Sequence, residues 1–325
     1  MLNQLRVVCL GNLKFGVFLP FYAFQTQNPK PYYEQLKKIV LTCEQLGYDS
    51  VWIDDHLMYN NAQILECWTT LAALAASTQR IRLGTMVTCN AHRNPALLAK
   101  GAATIDVISE GRLEFGVGAG VQEAEHTAYG FDFAKPSVRV AQLDEALDVI
   151  TRLWTESKAN YSGRYYSLKD AVCEPKPKQK PHPPITVGGA GEKRTLKVTA
   201  KHADRFDWGF IPSVEDYTRK LAVLERHCRT VGRDFGAIER SCWPSGQIIV
   251  AADQKALDER VAKYKPAGTS LEAFKKYTLV GTVDECEAAL GVYVDLGVTY
   301  FMLYFADLPS TDGIELFSRA VAKLG

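Results

Sequence analysis

No run of apolar residues approaches the about 20 needed for a membrane-spanning helix. The opening MLNQLRVVCL offers one Arg and an apolar stretch too short for the core of a secretory signal. Charge of one sign is equally scarce. Thirty-eight basic side chains face thirty-seven acidic ones, a formal charge of +1, so no long-range field gathers a polyanion. That excludes nucleic acid and anionic membrane as primary partners. Paired cysteines are missing too: Cys9, Cys43, Cys67, Cys89, Cys173, Cys228, Cys242 and Cys286 are scattered, with no Cys-x-x-Cys. This spacing fits free thiols in a reducing cytoplasm better than a disulfide scaffold or a zinc site. The histidines His56, His92, His126, His182, His202 and His227 show no metal-ligand spacing, so no metal is expected. The expectation is a soluble cytoplasmic protein.

Several catalytic signatures are absent as well. There is no Gly-x-x-x-x-Gly-Lys-Ser/Thr, no Gly-x-Ser-x-Gly and no His-Glu-x-x-His, which removes the usual supports of kinase, hydrolase and zinc-protease chemistry. Gly116-Val-Gly118-Ala-Gly120-Val121 imitates a dinucleotide fingerprint but ends in Val where Gly or Ala is required. The turn after the first apolar run, FYAFQ, has no glycine at all.

What is present is a rhythm. Strand-like runs at 14–20 (KFGVFLP), 50–54, 81–87, 112–117, 185–187, 205–208, 241–250 and 300–304 alternate with amphipathic stretches at 31–46, 64–77, 96–108, 138–155, 192–201, 214–231, 283–296 and 314–323. Eight such units demand parallel pairing through crossover helices. They predict a closed (β/α)8 TIM barrel, with an open doubly wound sheet as the alternative. The 325 residues permit two domains, but closed barrels run from about 200 to over 400 residues as one. A single domain over 1–325 is therefore expected, with a ragged start over 1–13. An insertion after the fourth βα unit, over 156–184, breaks the rhythm with YSGRYY and EPKPKQKPHPP.

In such a barrel the residues just past the C-terminal ends of the strands line the site. They are Asp54-Asp55-His56, Met86 to Asn90 with Val87 and Cys89 among them, Ala119-Gly120-Val121-Gln122, and Gly188-Gly189-Ala190-Gly191. Tyr22, Trp208 and Tyr304 are the aromatic candidates. His56 is the sharpest, because imidazole exchanges protons near neutral pH; its other reading is a loop tie. Asp55 could orient that ring or cap a turn. The glycines at 188, 189 and 191, with Lys193 and Arg194 close behind, offer bare amides to a phosphate or simply turn the chain. Glu66 and Glu125 are expected to pair with Arg139 or Arg93.

The succession FGVFLP, YDSVWIDDHL, ECWTTLAALAASTQRIRLGTMV, RNPALLAKGAATIDVISEGRLEFGVGAG, EAEHTAYGFDF, LDVITRLWTE, PPITVGGAGEKRTLKVTAKHADRFD and GTVDECEAALGVYVDLGVTYFML resembles the luciferase-like monooxygenase superfamily, in its branch of oxidoreductases using the deazaflavin coenzyme F420. The resemblance implies the barrel, a deazaflavin in its mouth and hydride transfer with a small organic substrate. It implies Asp55-His56 beside the ring, a bulge at Met86-Val87, often a non-prolyl cis peptide, that backs the ring, and phosphate binding at Gly188, Gly189 and Gly191. Val121 departs from relatives that carry an acid or a Trp there. Members using FMN and oxygen share most motifs, so an FMN-dependent monooxygenase and a flavin-binding protein without turnover remain open. Specificity is expected in 158–184, the loop after strand one and 265–279, and a homodimer is the symmetric default.

Overall fold

The computed structural model describes residues 13–24, 32–210 and 213–324. The expected ragged start, Cys9 and part of the loop after the first strand lie outside the described residues. In chain order the elements are β1 (Lys14–Phe18), α1 (Tyr32–Gln45), β2 (Ser50–Ile53), α2 (Cys67–Ser77), β3 (Arg82–Thr85), β4 (Thr88–Cys89), α3 (Pro95–Ile108), β5 (Leu113–Gly118), α4 (Glu123–Ala128) and α5 (Pro136–Thr155). There follow β6 (Ala159–Ser162), β7 (Ser167–Ala171), β8 (Ile185–Gly188), α6 (Thr195–His202), β9 (Arg205–Asp207), α7 (Val214–Val231) and β10 (Glu239–Cys242). The chain continues through β11 (Gln247–Ala251), α8 (Gln254–Tyr264), α9 (Leu271–Lys275), β12 (Thr278–Thr282), α10 (Val283–Val294), β13 (Tyr300–Leu303) and α11 (Asp312–Leu324). No helix among the described residues is long and apolar enough to cross a membrane.

Two compact units share the chain. The first comprises the described residues of Met1–Trp52, Asp207–Ala222 and Glu239–Gly325. Its parallel strands run in the order β2, β1, β13, β10, with Val17 opposite Val51, Phe15 opposite Phe301 and Ser241 opposite Tyr300. Every residue of β2 and β13 is buried, as strands covered on both faces must be. On one face Phe15 stacks on Phe301 at 5.9 Å and meets the edge of Phe317 from α11 at 6.3 Å. Burying each such ring contributes about 1.5 to 3 kcal/mol.

The single strand expected over 241–250 is two strands in this unit. β10 stops at Cys242, because Pro244 cannot donate to a ladder. β11 then leaves to pair with β12 in a separate parallel sheet, Ile249 opposite Val280. Ile249, Ala251, Leu257 and Phe274 make a small core beneath it. The specificity segment expected over 265–279 is thus largely the support of this side sheet.

The second unit comprises Ile53–Phe206 and Val223–Ile238. Its parallel strands run β3, β5, β8, β9. β4 resumes the line of β3 farther along the same neighbour: Leu83 lies opposite Leu113, and Thr88 opposite Val117. Asn94 caps α3 by accepting the Ala96 amide at 2.9 Å, and Pro95 fills the first helical position, where a missing N–H costs nothing. Glu66 likewise accepts the Thr69 amide at 2.7 Å, so α2 starts at Cys67 rather than at 64.

The 156–184 stretch holds an antiparallel hairpin, β6 on β7, that the polar, mostly exposed sequence concealed. Its tip is tied to α5: the Glu145 carboxylate accepts the amides of Arg164 at 2.9 Å, Tyr165 at 2.8 Å and Tyr166 at 3.3 Å.

At the start of β5, Glu114 is buried between Arg82 and Arg205, with the Arg205 Nη1 to Glu114 Oε2 distance at 2.8 Å. Burial pushes its pKa up, and the two guanidiniums more than reverse this, holding it below the ordinary carboxylate value. N-terminal strand ends in barrels carry stability, not chemistry.

Candidate functional site

β2 delivers Asp54, Asp55 and His56 at its C-terminal end. Asp55 does not orient His56. Its buried carboxylate grips the Arg93 guanidinium in a two-pronged pair, at 2.5 and 2.8 Å, and accepts the Cys89 amide at 2.9 Å. A carboxylate so engaged ties the β4 end to the loop that carries Arg93. Arg93 also reaches Glu66 at 2.7 Å, which is the pairing expected for that acid.

Glu125 departs from expectation. It pairs with neither Arg93 nor Arg139; Arg139 instead donates to the Ala134 carbonyl and covers the Phe133 ring. The carboxylate of Glu125, on α4, turns back to β2. It accepts the Leu57 amide in a short hydrogen bond and the Met58 amide at 3.3 Å, and its second oxygen lies 3.2 Å from His56 Nδ1. Glu125 is 3% exposed, yet burial is outweighed by these donors, and its pKa falls below the ordinary carboxylate value. An acid that accepts from Nδ1–H fixes the tautomer and leaves Nε2 as the proton-accepting nitrogen. His56 is partly open to solvent and leans against Tyr59 with ring centroids 5.7 Å apart.

The break between β3 and β4 is the Met86–Val87 peptide, which is cis, as the family resemblance implied. The Met86 amide donates to the Ile53 carbonyl at 2.8 Å, tying this break to the end of β2. Val87 stands over two glycines: a Cβ on Gly118 would lie 2.8 Å from Val87 Cγ2, and one on Gly188 at 2.9 Å. Those glycines therefore make room for a protein side chain. Ala119 and Gly120 remain half-buried just beyond, while Val121 is 79% exposed and supplies no acid. Cys89 is buried, and burial pushes its thiol up to about 11.

After β8 the chain turns through Gly188, Gly189, Ala190 and Gly191. Gly189 has φ of 105°, a conformation open to glycine and strained for other residues. Helix α6 begins at Thr195, not 192, and no side chain caps it. The turn is held from behind by His227 Nε2, 2.7 Å from the Glu192 carbonyl. The first helical amides, of Leu196 and Lys197, donate to the carbonyls of Gly191 and Arg194 at 3.0 Å each, so any anion seat here belongs to the glycine turn rather than to the helix start.

The aromatic candidates Tyr22, Trp208 and Tyr304 belong to the first unit. Tyr22 meets the edge of Tyr304 at 6.5 Å, Phe18 sits between Tyr304 and Trp243 at 5.8 and 5.0 Å, and Lys220 covers Trp208 at 5.1 Å. Trp243 and buried Asp207, joined at 3.1 Å, were missed. The signal was Pro244, which ends a strand at 242 and so puts Trp243 at a strand end. Also missed were Glu125, His92 and His126, since their meeting with residues at 56 and 89 depends on tertiary structure.

The family model described as luciferase-like monooxygenase matches residues 13–269. An F420-dependent glucose-6-phosphate dehydrogenase of Amycolatopsis mediterranei is 34% identical over 298 residues, covering 83% of this chain and 87% of its own. One from Segniliparus rotundus is 26% identical over 324 residues, covering 91% and 93%. Among solved structures, an F420-dependent secondary alcohol dehydrogenase in complex with an F420-acetone adduct superposes with a TM-score of 0.79 at 21% identity, over 97% of this chain and 99% of that one. The fold is the closed eight-stranded parallel (β/α)8 barrel expected from the alternation. Eight strands ending in these loops, a cis peptide at the third and a match spanning most of the sequence lead to one assignment: the chain is an oxidoreductase-fold member of the luciferase-like monooxygenase family.

Proposed function

We propose that this protein is an F420-dependent oxidoreductase that interconverts an alcohol and a carbonyl in a small organic substrate. The observation that carries the reading is His56, held at a strand end by the buried carboxylate of Glu125 with Nε2 left to take a proton. Relatives that cover most of this chain are named F420-dependent dehydrogenases, which favours F420 over FMN. The residues fit such a group: the side-chain-free turn Gly188-Gly189-Ala190-Gly191 at a strand end suits its phosphodiester, and Val87 set on Gly118 and Gly188 supplies a firm apolar surface. When bound, F420 supplies the hydride acceptor. The part of His56 is to hold the hydroxyl proton released as the carbonyl forms, with the Glu125 charge stabilising the imidazolium. Glu125 thereby supplies the negative charge that Val121 cannot.

Fluorescence titration with F420 and with FMN tests the cofactor, and tight FMN binding with none for F420 overturns the proposal. His56→Ala should keep F420 affinity and lose most turnover with alcohol substrates, by about 100-fold or more for a positioned acid–base group. Unchanged turnover would remove His56 from the reaction.

A further inference from the structure

Cys89 and His92, neighbours in the chain, meet the distant His126 in the second unit. Their ligand atoms, Sγ and one nitrogen from each ring, all lie within 4.8 Å of one another, and all three residues are buried. Cys89 Sγ is 3.8 Å from His126 Nε2. A tetrahedral zinc with bonds of about 2.3 Å to sulfur and 2.0 Å to nitrogen sets these atoms about 3.5 Å apart, so side-chain adjustments of an ångström or less would close the set.

The orientation of the rings is already that of ligands. His126 Nδ1 lies 2.8 Å from the Gln122 carbonyl, so Nδ1 carries the proton and Nε2 presents its lone pair toward the sulfur. This backbone-carbonyl support is the usual outer partner of a metal-bound histidine. His92 is the second, independent sign. It is only 8% exposed, and neither ring nitrogen has a hydrogen-bond partner. Leaving such a ring unpartnered in the interior is unfavourable, and a bound ion would satisfy it. Space is also kept: Gly120 has φ of 79°, and a Cβ there would lie 2.8 Å from Cys89 Sγ and 3.3 Å from His126 Nε2. His92 also lines a cavity of about 420 Å³ with Asn90, Arg93, Phe131 and Tyr166.

We propose that Cys89, His92 and His126 form a binding site for a single zinc-class divalent ion, with a fourth coordination position left to water or a small ligand. One thiolate and two imidazoles suit zinc and exclude calcium and magnesium, which demand oxygen. Loading takes the proton from the Cys89 thiol, so binding strengthens as pH rises. The other cluster of suitable residues, Asp144, Asp148 and His202, already holds the Lys201 ammonium at 3.0 and 2.9 Å and is not a rival.

The test uses the full chain, stripped with a chelator and titrated with Co(II), then displaced with Zn(II). One equivalent of Co(II) should give the intense visible bands of a tetrahedral site together with a thiolate-to-cobalt charge-transfer band. That band should vanish in Cys89→Ser, affinity should fall at least 100-fold in His126→Asn, and Asp144→Asn should change nothing. Absence of the charge-transfer band in the wild-type protein overturns the site whatever the variants do, as does a band that survives Cys89→Ser. The readout is independent of F420, so its failure leaves the proposed function standing.

Discussion

Replacing Glu125 separates three roles that one carboxylate performs. In Glu125→Gln the amide oxygen can still accept from Leu57 and Met58, but the charge facing His56 is gone. Charge-assisted hydrogen bonds contribute about 1.5 to 3 kcal/mol and neutral ones about 0.5 to 1.5, so the expected loss is about 1 to 1.5 kcal/mol. Glu125→Ala removes the acceptor from two backbone amides and the imidazole, and should cost about 3 kcal/mol; half-burial of Leu57 and Met58 lets water replace part of it. Urea denaturation measures both, read as midpoint shifts at constant slope. The pH dependence is the sharper check. Because the folded pKa of Glu125 lies below its model-peptide value of 4.5, its contribution is complete above that value and fades as pH falls through the folded pKa. The wild-type advantage over Glu125→Gln should therefore shrink on acidification below about pH 5. An advantage that stays flat to about pH 3, or equal losses in Gln and Ala, would refute the assignment of a stabilising charge to this residue.

Glu114→Gln removes the charge that buried Arg205 and Arg82 share and should cost about 3 to 5 kcal/mol by urea denaturation, with no change in cofactor affinity; a loss under about 1 kcal/mol would show that the charge of Glu114 contributes little there. The depressed pKa of Glu114 makes its contribution one that is lost on acidification, by the same sign as Glu125. Gly189→Ala forces a side chain onto φ of 105° and should weaken F420 binding about tenfold, from about 1 to 2 kcal/mol of backbone strain. Unchanged fluorescence titration would place the phosphodiester elsewhere.

The alternation of apolar runs was enough to read the barrel, because a buried parallel strand and the helix that returns its chain each leave their own period. It was enough to nominate His56, Met86–Val87 and the glycine turn, since each lies immediately past a strand end. The side-chain partners were not legible. Asp55 is next to His56 in sequence and turns away to Arg93, whereas Glu125, 69 positions on, is the residue that touches the ring. Adjacent residues at a strand end point in different directions, and the helix that brings Glu125 back is only 6 residues long, too short to leave a clear period. The same holds for Cys89 and His126, 37 positions apart and brought together by β4 and α4. The reading failed most plainly at 241–250, where one strand was carried across Pro244, Ser245 and Gly246, although these turn residues send the second half of the segment to a different sheet.

The hold of Glu145 on the tip of the 156–184 hairpin bears on how such proteins diverge. Three consecutive amides close on a single oxygen pair from a helix that precedes the loop in the chain. The loop is consequently not a freely exchangeable cassette: a transplant of the hairpin into a relative, or its replacement by a longer version, has to bring along the acid one helix upstream. Insertions in this subgroup should therefore co-vary with that helical position, and chimeras that ignore it should lose the shape of the loop before they change its specificity.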